Sequence, residues 1–354
     1  MKSDFSYAWQ KVSLKDIAEK LGVSKTTVSL ALRNSPSISK ATKRLVVKTA
    51  KESGYVHNGL FSRLMSRMKD KNRKGLSQTI ALINANEDKN AHKNHPTIPQ
   101  YLKGIRRACR REGFVLNEFW LNDPKLTEKS LFDILKARGI KGGIIVGLMS
   151  DNDLGDKFNS IWRNFKFVVT GVKTLNPVLP FTCSDQFLLA YHATKIAISR
   201  GYRRPALVLD SAIDKLIEGR FTGGFLRAQL ALDKKDRIDP FFNVRQAKSN
   251  RQIFYDFYKK AKPDCILSLY NGTRDWLEDM GIRAPENIGL IQLEWREQES
   301  DWSGMNQRND LVGEAAVEKL SQMLASANPA EEYIKTATMI SPEWVESKTL
   351  RPLD

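Results

Sequence analysis

Residues 13–34, SLKDIAEKLGVSKTTVSLALRN, constrain the chain more than any other stretch. Ile17, Ala18 and Leu21 recur at helical spacing and predict the inward face of a short helix. Gly22-Val23 turns the chain, and Ser24 stands where an N-cap residue accepts bonds from the free N–H groups of a following helix. On that second helix Thr27, Val28, Ala31 and Leu32 fall on one side, and Lys25, Thr26, Ser29, Leu30 and Arg33 on the other. Two short helices, a glycine turn and a small, donor-rich outer face describe a helix-turn-helix, whose second helix can lie in the DNA major groove. The same periodicity also suits an ordinary helical hairpin with a solvated charged side.

Charge separates the two readings. Residues 1–75 hold 17 Lys/Arg against 5 Asp/Glu, whereas the remaining residues hold 40 against 35, within a formal net charge of +17. A basic head on a nearly balanced body is the footprint of a polyanion-binding module. Cys109, Cys183 and Cys265 are widely spaced and odd in number, which predicts reduced, buried thiols in a cytoplasmic protein. The opening MKSDFSYAWQKVS lacks a signal-peptide core and no apolar run reaches spanning length, so no membrane association is expected.

Beyond the second helix, Asn34-Ser35-Pro36 breaks the chain and Ser39 caps a third helix. On it, Leu45, Val46, Thr49 and Ala50 form the apolar row expected to cover the first two, and Gly54 supplies the stop. Residues 12–58, with D-I-A at the start, G-V-S at the turn, T-V-S in the second helix and G-Y-V-H-N at the exit, resemble the DNA-binding head of the LacI/GalR repressor family. The resemblance places Lys25 and Thr26 at the principal base-reading positions, with Ser29 on the same face. Leu30, where many members are polar, is suited to an apolar contact such as a thymine methyl. Ser24, Thr27, Asn34 and Asn58 would hold phosphates, and His57 replaces the family's usual proline. Residues 59–68, GLFSRLMSRM, match the family hinge, in which Leu64 would wedge into the minor groove while Arg63 and Arg67 neutralise phosphates. Lys69–Gly75 reads as a charged linker.

From residue 78 onward, apolar runs alternate with amphipathic stretches. The runs are 79–85, 114–121, 142–148, 166–172, 205–210, 265–270 and 288–294; helices are expected over 100–112, 128–138, 186–200, 217–232, 249–261 and 309–325. Continuous apolar strands alternating with helices imply parallel sheets covered on both faces, and seven or eight such units exceed one sheet of usual size. The body also resembles the family's effector domain, a two-lobed periplasmic-binding-protein-like fold with three crossings and a cleft between the lobes. Ligands in such folds sit at the carboxyl ends of strands. That rule, with the family pattern, nominates Thr97, Ile98, Met149, Thr170, Asp185, Arg220, Asn271 and Glu294 as effector-binding residues. Trp276 and Trp295 suit either a sugar face or the core.

His92, His95 and Asp88 share one loop but lack a third sure ligand on a helical frame, so no metal and no cofactor are expected. There is no G-x-S-x-G elbow, P-loop or G-x-G-x-x-G after a strand, so no enzyme is expected. The fold class that follows is a small all-α helix-turn-helix domain (1–58), a hinge helix and linker (59–75) and an α/β two-lobed domain (76–354). The resemblance implies a homodimeric transcriptional regulator, a repressor, that binds double-stranded operator DNA under the control of a small-molecule effector, a sugar or related metabolite. The alternatives are a DNA-bending architectural protein, and a sugar-processing enzyme fused to a DNA-binding head.

Overall fold

The computed structural model describes residues 12–32, 37–53, 78–326 and 336–352, and contacts divide the chain into two units, Met1–Ser77 with Gln322–Glu332 and Gln78–Ser321 with Tyr333–Asp354. In the first unit, helices α1 (Leu14–Leu21), α2 (Lys25–Leu32) and α3 (Lys40–Glu52) enclose Ile17, Ala18, Val28, Ala31, Val46 and Ala50. Each start is fixed by a side-chain cap. The Asp16 N–H donates to Ser13 Oγ while the Ser13 N–H donates to the Asp16 carboxylate at 2.7 Å, a reciprocal capping box. Ser24 and Ser39 accept from the N–H groups of Thr27 and Thr42 at 3.0 and 3.1 Å. Gly22, at φ +62°, ends α1 in the left-handed conformation that glycine adopts without strain. The expected row on α3 is corrected at one position. Leu45 is 53% exposed, because Val46, Thr49 and Ala50 define the buried stripe and Leu45 is rotated a further 100° from Val46.

The second unit contains two sheets. Strands β1 (Gln78–Asn84), β2 (Phe114–Trp120), β3 (Gly142–Val146), β4 (Lys166–Thr170) and β5 (Phe181–Ser184) join a late strand, β10 (Ala337–Ile340), in one parallel sheet of order β10-β5-β4-β3-β1-β2. Strands β6 (Pro205–Val208), β7 (Cys265–Ser268), β8 (Gly289–Gln292) and β9 (Ser303–Asn306) form the second, parallel except for β11 (Glu343–Val345), which pairs antiparallel to β9. Residues 241–243 lie beside β6 through bridges from Phe241 to Val208 and from Asn243 to Asp210, the position that β2 holds beside β1. Pro240 precedes this segment and has no N–H to extend the ladder. The chain passes from the first lobe to the second after β5, returns after β9, and crosses again between β10 and β11. The seven apolar runs correspond to β1–β4 and β6–β8; β5 (FTCS) and β9 (SGMN), mixed small and polar residues, carry no comparable signal.

Burial is continuous along the central strands, as a sheet covered on both faces requires. Ala81, Ile83 and Ile145 face one cluster, and Ile80, Leu82 and Ile144 the opposite side. Trp276 is 2% exposed, part of the core of the second lobe with Phe254 and Phe241. In the first lobe, helix Ile98–Glu112 packs on helix Asn309–Ala325 at two glycines. A Cβ on Gly104 would collide with the backbone of Asp310, and one on Gly313 with the backbone of Tyr101. The approach lets Arg107 reach Asp310 at 2.8 Å and also Glu314, and lets Arg111 reach Glu314 at 3.0 Å and Glu318 at 2.7 Å. Gly104→Ala is expected to lower stability by about 2 kcal/mol by forcing these helices apart, whereas Arg110→Ala on the exposed face changes it by less than about 0.5 kcal/mol; urea unfolding of both variants checks the difference.

Candidate DNA interface and ligand cleft

On α2, Val28 and Ala31 are buried, and the opposite side presents exposed Lys25 and Thr26 with Ser29 and Leu30 half-buried beside them. Lys25 has no carboxylate within ion-pair distance among the described residues, whereas Lys15 and Lys48 pair with Glu19 and Glu52 one turn on. Thr27 is not on the bare inner face that periodicity suggests. Its hydroxyl meets Ser24 Oγ at 2.8 Å, so one of the two hydroxyl protons bonds the other oxygen and one is left over. With the Thr27 N–H taken by Ser24, the N–H groups of Lys25 and Thr26 have no acceptor within the helix, and the partial positive charge at a helix N-terminus favours an anion such as a phosphate. Asn34, His57, Asn58, Arg63 and Leu64 lie outside the described residues.

In the second unit the carboxyl ends of the two sheets face one another. Glu294, just beyond β8, is the polar centre of this edge. Its Oε1 accepts from Thr97 Oγ1 at 2.7 Å and from Asn309 Nδ2 at 3.2 Å, and its Oε2 accepts from the Arg296 guanidinium at 2.7 Å. Thr97 precedes the helix Ile98–Glu112, which follows β1 within the first lobe, and Asn309 opens the helix that returns there, so the carboxylate joins two segments of the first lobe to the second. Arg220 makes a second crossing. Its Nη1 donates to Gln186 Oε1 at 2.9 Å and to Cys183 Sγ at 3.2 Å, and the guanidinium lies 5.7 Å from the centre of the Phe181 ring. It is not paired with Glu218, which binds Lys173 at 2.7 Å instead, and it has no carboxylate partner among the described residues.

Asn271 also lies on this edge, with its Oδ1 buried and unpartnered, and Met149 is half-buried after β3. Asp185 accepts from the Leu188 N–H at 2.9 Å and so caps the helix Gln186–Ser199. Two nominated residues do not reach the cleft surface. Thr170 is 1% exposed and donates its hydroxyl to the Ile145 carbonyl, and Ile98 is fully buried beside a separate cavity of about 180 Å³ lined also by Leu82, Phe119 and Trp120. Both stand at the right place along the chain, but their side chains turn into the first lobe. Ser184 Oγ, Trp295 Nε1 and Asn309 Oδ1 are further buried polar atoms without a hydrogen-bond partner near the strand ends. Sequence reasoning missed Arg296 and Asn309 as site residues. Arg296 is signalled only by its place two residues after Glu294, and Asn309 only by opening a helix whose following apolar residues were visible.

Burial holds the His95 imidazole below its ordinary value, with the Glu294 charge opposing and Arg296 reinforcing that direction. Its Nδ1 accepts from the Thr97 N–H at 3.1 Å, which requires the ring nitrogen to be unprotonated. Asp88 accepts from the Asn90 N–H and the Asn94 amide, and His92 contacts the Lys89 carbonyl, so these loop residues organise their own backbone. Burial also pushes the Cys183 thiol up, with Arg220 opposing.

Two family models match this chain, bacterial regulatory proteins of the lacI family over residues 13–58, and periplasmic binding proteins and the sugar-binding domain of the LacI family over residues 82–243. The chain belongs to the LacI family. It is a DNA-binding transcriptional regulator, as are its similar relatives. Among these, MalR of Streptococcus pneumoniae is 26% identical over 69% of this chain and 72% of its own length, and the NTD biosynthesis operon regulator NtdR of Bacillus subtilis is 26% identical over 79% and 81%. The fold is that of the CelR–cellobiose complex, with a TM-score of 0.57 at 18% identity over 96% of this chain and 100% of that one. It is likewise that of the lac repressor dimer bound to operator and the anti-inducer ONPF, at 0.56 and 16% over 97% and 100%. No described helix is long and apolar enough to cross a membrane.

The His95 environment sets a pH dependence for this regulator. The unfolded chain takes up the imidazole proton first as pH falls, so the stability from the neutral ring is complete above about pH 6.5 and is lost as pH drops through the lower native value. His95→Gln is expected to flatten the fall in Tm between about pH 7 and about pH 5, as followed by thermal unfolding of both proteins across that range.

Proposed function

We propose that this regulator is a repressor that acts as a homodimer, each head reading one half of a roughly palindromic operator. A two-fold protein pairs naturally with a two-fold site, because each recognition helix then meets an equivalent major-groove segment. The observation that carries the reading is the exposed pair Lys25 and Thr26, opposite buried Val28 and Ala31 on a capped helix. Lys25 and Thr26 contact base edges, with Leu30 available for a thymine methyl and Ser29 beside it; Ser24, Thr27, Asn34 and Asn58 hold phosphates near His57. Residues 1–58 form the reading head and 59–75 the hinge, with Leu64 as a minor-groove wedge flanked by Arg63. Residues 76–354 sense a small molecule, a sugar or related metabolite, between the lobes. Arg220 supports this assignment, since a guanidinium without a carboxylate partner beside an aromatic ring suits a hydroxyl-rich ligand. Asn271, Asp185, Met149, Thr97 and Glu294 border the same cleft. The ligand alters operator affinity only through its differing affinity for two lobe arrangements, transmitted to the hinges.

Lys25→Ala is expected to change base preference at one operator position, by about 1–3 kcal/mol of discrimination, while Arg63→Ala weakens binding to all duplexes alike and lowers the salt slope by about one. Affinities for a set of single-base operator variants at several salt concentrations check both, and equal losses on every variant for Lys25→Ala contradict the assignment. For the sensor, a thermal-unfolding screen of mono- and disaccharides, cellobiose included, is expected to yield a ligand that raises Tm in the native chain and not in Arg220→Ala.

A further inference from the structure

The polar groups around Glu294 have the composition of a receptor for a carboxylate. A hydroxyl from Thr97 and an amide N–H from Asn309 converge on one oxygen, and the Arg296 guanidinium takes the other. Charge-assisted bonds of this kind are the strong ones, and three donors of different geometry fix both oxygens. Two of the donors belong to the first lobe and the third to the second, so whatever carboxylate occupies the place ties the lobes together. Glu294 is itself held from behind, its N–H donating to Gln292 Oε1 at 3.0 Å, while Gln307 Nε2 donates to the neighbouring Leu293 carbonyl at 3.0 Å. The Asn309 Oδ1 remains buried without a partner beside the carboxylate, a leftover acceptor for a hydroxyl or protonated group.

We propose that Thr97, Asn309 and Arg296 form a carboxylate-binding site bridging the lobes, which the chain fills with its own Glu294 and which an external small carboxylate can fill in its place. The site rests on the reading of the cleft as the ligand site and adds to it a ligand class, a small molecule bearing a carboxylate. It also assigns a state: the lobes are latched without any effector, and a ligand that enters with its own carboxylate takes over donors that Glu294 holds. This differs from a cleft that merely awaits neutral hydroxyls, because the charge required at the centre is already supplied by the protein.

Cys183 provides an internal reporter. It is fully buried, and its sulfur contacts Arg220, the second link across the cleft, whereas Cys109 and Cys265 are buried within single lobes. In the full-length chain without DNA or effector, Glu294→Ala is expected to raise the rate at which Cys183 reacts with an aromatic disulfide reagent by about tenfold or more, read by site-resolved mass spectrometry, with Cys109 and Cys265 unchanged as controls for folding. The atoms removed by this substitution are those of acetate. High-millimolar acetate is therefore expected to return the rate toward that of the native chain, while chloride at the same ionic strength and neutral acetamide do not. Glu294→Gln, which keeps an oxygen for Thr97 and Asn309 and still fills the space, is expected to react at an intermediate rate and to ignore acetate. A Glu294→Ala rate equal to that of the native chain, or acetate no different from chloride, overturns the proposal. Neither measurement involves DNA or a sugar, so operator binding and saccharide sensing can stand if it fails, and acetate rescue can stand if they fail.

Discussion

A parallel sheet has no face it can leave to water, and that requirement organises most of this molecule. Strands such as Ile80–Ile83 and Gly143–Val146 are apolar on both sides, so helices must cover each sheet twice. The crossover connections that supply those helices leave all strand ends of one polarity on the same edge. Two such sheets in one unit, facing each other with their carboxyl edges, create a cleft as a by-product of topology. No residue in the cleft needs to be near another in sequence, which is why Thr97, Glu294 and Asn309 meet from three distant segments.

The three crossings have a further consequence. Rigid packing is concentrated within each lobe, as at the glycine contact between helices 98–112 and 309–325, where backbone meets backbone and ion pairs close the rim. Between the lobes the links include discrete polar ones: Thr97 to Glu294, Arg220 to Cys183, Lys173 to Glu218. Apolar contacts also span the gap, with Leu154, Val172, Leu216 and Ile217 in one buried cluster. Links of that kind can be exchanged for bonds to a ligand without unfolding either half, which is what a sensor needs.

Much of this was legible in the sequence, because the informative signals are local. Helix periodicity, the Ser24 cap, the glycine at position 22 and the asymmetric charge define the head, and long apolar runs define most of the sheets. Strands β5 and β9 escaped because Phe181–Ser184 and Ser303–Asn306 carry small and polar residues in place of an apolar run, and neighbouring strands hold them in the sheet. The cleft was legible only as a set of positions. Strand ends can be counted along a chain, but the rotation of each side chain is set by packing, so Thr170 and Ile98 turn inward while Glu294 collects donors from Arg296 and Asn309. Arg220 was nominated from its place in the chain, but that it lacks a carboxylate partner among the described residues could be seen only in the fold, which draws its neighbour Glu218 to Lys173.

In the proposed function, a capped helix in the basic N-terminal segment reads sequence under the control of a two-lobed sensor that follows it in the chain. The most direct test is enrichment of the purified full-length chain's preferred duplexes from a random library, followed by competition against unselected DNA. A two-fold symmetric consensus held in preference to competitor is expected. Recovery of no consensus, with selected and unselected duplexes bound equally, contradicts it.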